Sequence, residues 1–431
     1  MRKAIVLGGY GLIGSACMRA LAAEGFAVTG VGRSPRAARA ADPDADWRFH
    51  DLATLDPAGW RSLLQGADVV VNAAGALQDG ARDSLEAIHV TAVARLVEAA
   101  AGTPLRIVQI SAAGVSPEAP TAFFRTKARG DALLAAGAGP HVILRPTLVL
   151  APDAYGGTAL LRGVAALPRV LPRVLPGAQV MTVHLDDLAA AVVRAARGEV
   201  PSGTIADITG RGSRSFPDLV DAIRRWQGFA PPRFRPALPR VLLTAAGRGA
   251  DALGHLGWRS PLRTTALTSL ESGVTGDPAR WEALTGQVCR DLAGTLADLP
   301  ATRQERLFAR LYFALPLAIA TLALFWIVSG LVTLADPARA IAVAEAGALP
   351  PPLSAATVYG GALADVALGL AMLWRPLARR AALGMIGLSA AYLAGGLIAA
   401  PDLWADPLGP MVKVFPGMTL AAMVALMLEE R

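Results

Sequence analysis

Cysteine and lysine are almost missing from this 431-residue chain, and charge of either sign is scarce. The two cysteines, Cys17 and Cys289, lie far apart and match no metal-ligand or redox spacing, which argues against a disulfide scaffold and against a zinc site. Lys3, Lys127 and Lys413 are the only lysines among 41 basic residues. The arginines that make up the rest are scattered, with no basic run and no interleaved aromatics. The net charge of +7 and pI near 10 therefore do not point to nucleic acid. Only 17% of residues are charged while 53% are hydrophobic, and the mean hydropathy of +0.43 is too high for a wholly soluble protein of this length. Membrane lipid is thus an expected partner of part of the chain. The N-terminus runs straight into a strand-like Ala4-Ile5-Val6-Leu7, without the long apolar core and small-residue cleavage site of a signal peptide, so the first domain is expected in the cytoplasm.

What is present is an alternation of short β-branched runs with Ala/Leu/Arg helical stretches up to about residue 300. That pattern predicts an α/β, doubly wound parallel sheet with helices on both faces. Candidate strands cover 4–7, 27–31, 68–72, 106–110, 142–145 and 180–184. Within this domain, 1–300, the stretch 201–300 carries Pro231, Pro232, Pro236 and Pro239 and reads as a small C-terminal substrate lobe. Tyr155, Arg162, Trp226 and Trp258 either line that lobe or cover its core.

The remainder, 301–431, holds four apolar stretches at 312–334, 355–374, 381–400 and 408–428, each near the ~20 residues that cross a bilayer. An all-α four-helix transmembrane bundle is expected, with Gly384, Gly387, Gly395 and Gly396 allowing close helix approach. Arg303, Arg306, Arg310, Arg375, Arg379 and Arg380 flank one side of the spans and only Arg339 the other. This asymmetry places the N-terminal domain and the C-terminal Glu429-Glu430-Arg431 in the cytoplasm and the bundle in the inner (cytoplasmic) membrane. Asp365 in the second span and Lys413 in the fourth are ionisable groups at bilayer depth, where function tends to be marked. Either they pair inside the bundle, lining a quinone or substrate pocket, or Lys413 snorkels outward and Asp365 hydrogen-bonds between helices.

The first strand ends in Gly8-Gly9-Tyr10-Gly11-Leu12-Ile13-Gly14-Ser15, directly before a helical run. Glycines spaced GxxGxxG at that junction permit a tight turn, close approach of a pyrophosphate and close helix–strand packing, while the helix N-terminus presents free N–H groups. A nicotinamide dinucleotide is the expected partner. The second strand ends Val31-Gly32-Arg33-Ser34 with no acid to bind ribose hydroxyls; Arg33 suits a 2′-phosphate, which favours NADP(H) over NAD(H).

Further residues resemble the short-chain dehydrogenase/reductase superfamily in its extended and atypical branches, with a Rossmann-like fold. They are His50-Asp51-Leu52, Asn72-Ala73-Ala74-Gly75, Ser111, Lys127, Arg145-Pro146 and His184-Leu185-Asp186-Asp187-Leu188-Ala189. The pattern is most similar to the atypical group that includes the nucleotide-binding accessory subunit of respiratory complex I. The resemblance implies a dinucleotide contacted by Gly8, Tyr10, Gly11, Leu12, Ile13, Gly14, Arg33, Asp51, Leu52, Ala73, Ala74, Gly75, Ser111, Lys127 and Pro146. The C-terminal spans, with Phe325-Trp326-Ile327-Val328-Ser329-Gly330, resemble the DoxX-like family, associated with quinone-linked membrane oxidoreductases.

The family's Ser, Tyr and Lys reduce or oxidise a carbonyl, with the tyrosine as proton donor. Here the tyrosine position is Phe123, the usual serine position is Ala113, and His89 stands where relatives carry a structural asparagine. Lys127 is retained, four residues after the lost tyrosine, and is the one catalytic candidate; Tyr155, His184 or water are the alternative proton sources. The implied function is a membrane-anchored NAD(P)H-binding oxidoreductase with a quinone-like or lipid-borne acceptor. The alternative is a catalytically degenerate NADP(H)-binding module that acts in assembly, in sensing or in docking onto a membrane protein complex. A sugar-nucleotide epimerase or dehydratase needs the absent tyrosine and ranks last.

Overall fold

The computed structural model describes residues 1–80, 83–137, 139–258, 260–346 and 349–429. Glu430 and Arg431, part of the C-terminus placed in the cytoplasm above, lie outside the described residues. The chain divides into two compact units, residues 1–251 with 260–309 and residues 252–259 with 310–431.

The first unit is built on a seven-stranded parallel sheet. Its strands are β1 (Lys3–Leu7), β2 (Ala27–Gly32), β3 (Asp46–Phe49), β4 (Val69–Asn72), β5 (Arg106–Ile110), β6 (His141–Pro146) and β10 (Thr204–Ile208), in the order β10-β6-β5-β4-β1-β2-β3. Among the described residues, four short strands lie outside it. β7 (Leu148–Leu150) pairs in parallel with β9 (Thr182–His184), and β8 (Gln179–Val180) pairs antiparallel with β11 (Arg214–Ser215).

Central strands covered on both faces read as near-continuous apolar runs, and the side-chain period of two sorts their residues between two cores. Ala4, Val6, Val69, Val71, Val108, Val142 and Leu144 face one layer, where Cys17, Met18 and Leu21 of the helix Leu12–Ala23 meet Leu188, Ala191, Val192 and Ala195 of the helix Leu185–Arg197. Ile5, Leu7, Val70, Ile107 and Ile143 face the other, against Trp60, Leu63, Leu64, Val93, Leu96 and Leu134. The strand order reverses between β1 and β4, so the crevice of the sheet opens at the carboxyl ends of those two strands.

Three expectations need correction. β3 was not anticipated: Asp-Trp-Arg-Phe has no β-branched residue and sits exposed at the edge, tied to β2 by the Thr29 hydroxyl donating to Asp46 Oδ2 at 2.6 Å. The stretch 204–208, which fell within the bounds 201–300 of the expected lobe, is the other edge of the main sheet, paired with β6. The single strand expected over 180–184 is two, because Met181 turns its N–H to Val274 O and its carbonyl to Leu148 N–H, so Val180 and Thr182 serve different sheets. A separate core gathers Leu161 and Leu171 with Leu219, Ile223 and Leu299.

Among the described residues, three helices are long and apolar enough to cross a membrane: Arg303–Ala335, whose last 22 residues form the helix Ala314–Ala335, then Pro351–Leu373 and Arg375–Ile398. The expected fourth span, 408–428, is a correction. Gly409 at φ +59° and the Asp406 carboxylate, which accepts the Leu408 N–H, hold the chain in turns, and the helix covers only Val414–Met427. Fourteen residues rise about 21 Å, short of the ~30 Å hydrocarbon core. Close packing falls in part where expected: a Cβ on Gly384 would lie 2.8 Å from Leu368 Cδ2, and one on Gly396 would strike the Met411 side chain. A Cβ on Gly369 would lie 2.9 Å from Ile327 N and one on Gly330 2.5 Å from Ala362 O, so these glycines bring the first two long helices into backbone contact. Gly387 and Gly395 face open space.

Arg162 is almost fully buried in the first unit. It ion-pairs with Glu305 at 2.6 Å, donates to Ala151 O and Pro152 O, and lies over the Trp226 ring. Glu305→Leu should strand that guanidinium and cost about 3–5 kcal/mol, lowering the thermal midpoint of the purified protein. Arg162→Met combined with Glu305→Leu should recover part of the loss, because no unpaired charge remains buried.

Candidate active site

The glycine turn is shaped by approaches that only glycine allows. Gly8 has φ +72°, and a Cβ on it would sit 2.9 Å from Ala74 Cα. A Cβ on Gly14 would fall on the Gly8 carbonyl oxygen, so the helix can start against the strand only without one. The turn is fixed by Gly8 N–H and Gly9 N–H donating to Val31 O and by Gly11 N–H donating to Gly8 O at 2.9 Å. The first intrahelical bond runs from Ser15 N–H to Gly11 O, so the N–H groups of Leu12, Ile13 and Gly14 precede the helical ladder, with no acidic residue in that first turn. These features fit a phosphate-bearing dinucleotide: a bare backbone cradle, a free row of donors and no competing carboxylate.

Tyr10 lies across Gly32, where a Cβ would strike its ring, and its hydroxyl accepts the Arg33 N–H at 3.2 Å. Arg33 is half exposed at the end of β2, with Nη2 donating to Asp83 Oδ1 at 2.6 Å and Nη1 3.9 Å from Asp51 Oδ2. The Asp83 hydrogen bond pushes its pKa further up. Asp51 remains half exposed, whereas the Leu52 side chain is buried in the core beside Trp60.

At the end of β4, the buried Asn72 donates to Gln109 Oε1 and accepts the Ala74 N–H, which sets the path of Ala73-Ala74-Gly75. Gly75, His89 and Lys127 converge there: a methyl on Gly75 would lie 3.3 Å from His89 Nε2 and 3.8 Å from Lys127 Nζ. His89, on a π-turn (Ala87–Thr91), accepts the Ala76 N–H at Nε2 and therefore carries its proton on Nδ1, donated to Thr126 Oγ1 at 2.9 Å. Burial, with the Lys127 charge adding to it, pushes its pKa down to about 3, so the ring is a neutral brace.

Lys127 sits on the helix Ala122–Ala136, fully buried, with Nζ donating to Ile110 O at 3.0 Å and lying 5.8 Å from the centre of the Phe123 ring. Burial pushes its pKa down to about 8, opposed by the Asp131 carboxylate one turn along. The buried Asp131 accepts Ser111 Oγ at 2.7 Å and both Arg145 Nε and Nη2, while burial raises its pKa. Ser111 is thus turned into this ion-pair cluster, Ala113 is fully buried, and Phe123 stacks edge-on against His89. Pro146 is buried at the end of β6. No hydroxyl takes the missing tyrosine's place beside Lys127 among these contacts.

His184, an alternative proton source, accepts the Asp186 N–H and caps the helix Leu185–Arg197; it is 3% exposed, and burial lowers its pKa. Asp187 beside it holds Arg290 and the Arg290 N–H, so this motif fastens the chain around 290 to the sheet. Tyr155 is exposed at the start of the helix Gly156–Ala165. Arg162 and Trp226 are core partners, and Trp258 belongs to the second unit, where its Nε1 donates to Leu373 O. Among the described residues, no three His, Cys, Asp or Glu side chains gather as a metal site. Sequence reasoning missed Asp131, Thr126 and Asp83. The four-residue spacing of Lys127 and Asp131 on one helix was the available signal for the first.

With this geometry in place, two family models match: the NAD dependent epimerase/dehydratase family over residues 4–207 and the DoxX-like family over 323–422. No curated protein matches the sequence. Similar solved structures include the Bordetella bronchiseptica enzyme WbmG with NAD, at 17% identity and TM-score 0.51, covering 68% of this chain and 91% of that one. WbmH from the same organism, with NAD+, is 20% identical with TM-score 0.51 over 69% of this chain and 97% of that one. MoeE5 with UDP-glucuronic acid and NAD is 18% identical with TM-score 0.52 over 72% and 99%. At these identities the likeness is one of fold.

The buried ammonium has a measurable consequence. Between pH about 8 and the ordinary lysine value of 10.5, the unfolded chain holds a proton that folded Lys127 has lost, so stability should rise with pH across that window. Thermal melts of the wild type from pH 7 to 10 should show this rise, and Lys127→Met should remove it.

Proposed function

We infer the function from the two parts this chain joins, an NAD-dependent epimerase- and short-chain-dehydrogenase-like domain and a DoxX-like domain with long apolar helices. The reading they support best is a membrane-anchored NAD(P)H-binding oxidoreductase whose acceptor is quinone-like or reaches it through the lipid. The observation that carries it is the convergence of Lys127, His89 and Gly75 beside the glycine turn, in a site where Phe123 replaces the proton-donating tyrosine. A bound reduced nicotinamide supplies a hydride, chemistry that resides in the cofactor.

The chain's own residues do the binding and orienting. The Leu12, Ile13 and Gly14 amides receive the pyrophosphate, and Tyr10, Asp51 and Leu52 border the adenosine end. Ala73, Ala74, Gly75, Ser111 and Pro146 border the other end through backbone and small side chains. Lys127 Nζ would hydrogen-bond the nicotinamide ribose, and burial, which brings its pKa down to about 8, lets it exchange a proton far closer to neutral pH than an ordinary lysine. Nucleotide-sugar epimerisation and dehydration need a tyrosine-type acid and base at the place of Phe123, which argues against importing those substrates from the structural neighbours.

NADP(H) is the preferred cofactor in this reading, with Arg33 turning from Asp83 to a 2′-phosphate; Asp83 and Asp51 compete for the same guanidinium and temper the preference. The arginine-rich flanks support an inner-membrane location with the first unit in the cytoplasm. The burial of Ser111 against Asp131 favours a second reading, a cofactor-ordered module that docks onto a membrane protein without turnover.

Two experiments separate these. In lipid nanodiscs, multiple-turnover oxidation of NADPH by a soluble quinone is expected, and Lys127→Met should abolish turnover while weakening binding. Saturable NADPH binding without oxidation would favour the docking module. Arg33→Ala should weaken NADPH binding about tenfold and leave NADH binding unchanged, measured by titration. Equal losses for both cofactors would contradict the NADP assignment.

A further inference from the structure

The second unit holds an open cavity of about 310 Å³, lined by Ser329, Thr333, Thr357, Val358, Gly361, Ala362, Asp365 and Tyr392. That volume is at the lower end of small-molecule sites. Asp365, on the helix Pro351–Leu373, is only 6% exposed, and no ion pair reaches it among the described residues. The Lys413 pairing considered from sequence does not form: Lys413 is exposed at the start of the helix Val414–Met427. Instead Tyr392 OH donates to Asp365 Oδ1 at 2.8 Å and Ser329 Oγ to Oδ2 at 3.2 Å. Gly361 makes room for the first bond, since a Cβ there would lie 2.8 Å from the Tyr392 hydroxyl.

The other hydroxyls are committed as well. Thr333 Oγ1 donates to Ser329 O, and Thr357 Oγ1 to Leu353 O and Ser354 O. Each side-chain O–H of the lining is therefore spent inside the protein, and the remaining lining side chains carry no donor. What the wall offers to a guest is lone pairs: those left on the carboxylate and on four hydroxyl oxygens. An acceptor such as a carbonyl finds nothing to bind, whereas a hydroxyl or ammonium group finds a carboxylate, and charge-assisted hydrogen bonds are the strong ones. An ionisable group kept at this depth in an apolar helix is otherwise costly.

We propose that this cavity is a binding site for a small lipid-soluble molecule whose head group donates hydrogen bonds, a hydroxyl or an ammonium, with Asp365 as its principal acceptor. This goes beyond the dinucleotide reading and does not depend on it.

The test uses the full chain in lipid nanodiscs, with empty nanodiscs as the partition control. Durohydroquinone and duroquinone share a ring and differ in two O–H donors; butylammonium is the cationic probe. Durohydroquinone or butylammonium should bind saturably, and duroquinone at least about tenfold more weakly. Tighter binding of butylammonium assigns a cationic head group, and tighter binding of durohydroquinone a neutral one. Asp365→Asn should lower donor-probe affinity about tenfold. Val358→Phe, which fills the cavity and touches no polar group, should do the same with helix content unchanged. Duroquinone binding as tightly as the tighter donor probe, no saturable binding of either donor probe, or full affinity in both variants would overturn the proposal. NADPH binding should persist whichever result is found.

Discussion

The contact on which the first unit depends is the meeting of two backbones, the Gly8 carbonyl with the Cα of Gly14, where no side chain fits. It fixes the angle at which the helix Leu12–Ala23 leaves β1 and so seats Met18 and Leu21 in the core. It also leaves three amides at the helix start facing the crevice where the strand order reverses. The fold and the cofactor cradle thus share one cause. Nothing larger than hydrogen is tolerated at Gly8 and Gly14, and the same bareness suits a phosphate.

A second constraint sits on the far side of the crevice. Burying the ammonium of Lys127 is unfavourable, and the structure surrounds it with the Ile110 carbonyl, the Asp131 carboxylate and the Phe123 ring. Arg145 and Ser111 neutralise and orient Asp131 in turn. His89, braced between the Ala76 amide and Thr126, closes the same corner as a neutral ring. A site without its usual acid still keeps the lysine and the scaffolding that holds it, which suits cofactor binding better than proton transfer to a carbonyl.

The parts legible in the sequence were those with a local cause. Strands β1, β2, β4, β5 and β6 announce themselves because burial favours near-continuous apolar and β-branched runs, and the glycine turn because its spacing is dictated by close approach. β3 and β10 were missed because edge strands escape that demand: Asp46–Phe49 is mostly exposed, and Thr204–Ile208 alternates buried with half-buried residues. Partners distant in sequence were equally silent. Nothing local links Arg33 to Asp83 or Arg162 to Glu305, and the Asp365 partners proved to be Tyr392 and Ser329, not Lys413. The fourth apolar stretch misled because composition alone does not register the turns that Gly409 and Asp406 impose.

The central claim is that the glycine turn, the Ala73–Gly75 segment and the Ile110–Lys127 corner together hold one dinucleotide. Hydrogen–deuterium exchange of the full chain in nanodiscs, with and without saturating NADPH, tests it most directly, because the Leu12, Ile13 and Gly14 amides lie outside the helical ladder and exchange freely until a ligand accepts from them. The account predicts slowed exchange over 8–15, 73–76 and 110–112 together. Unchanged exchange over 8–15 at a cofactor concentration that saturates binding would contradict it.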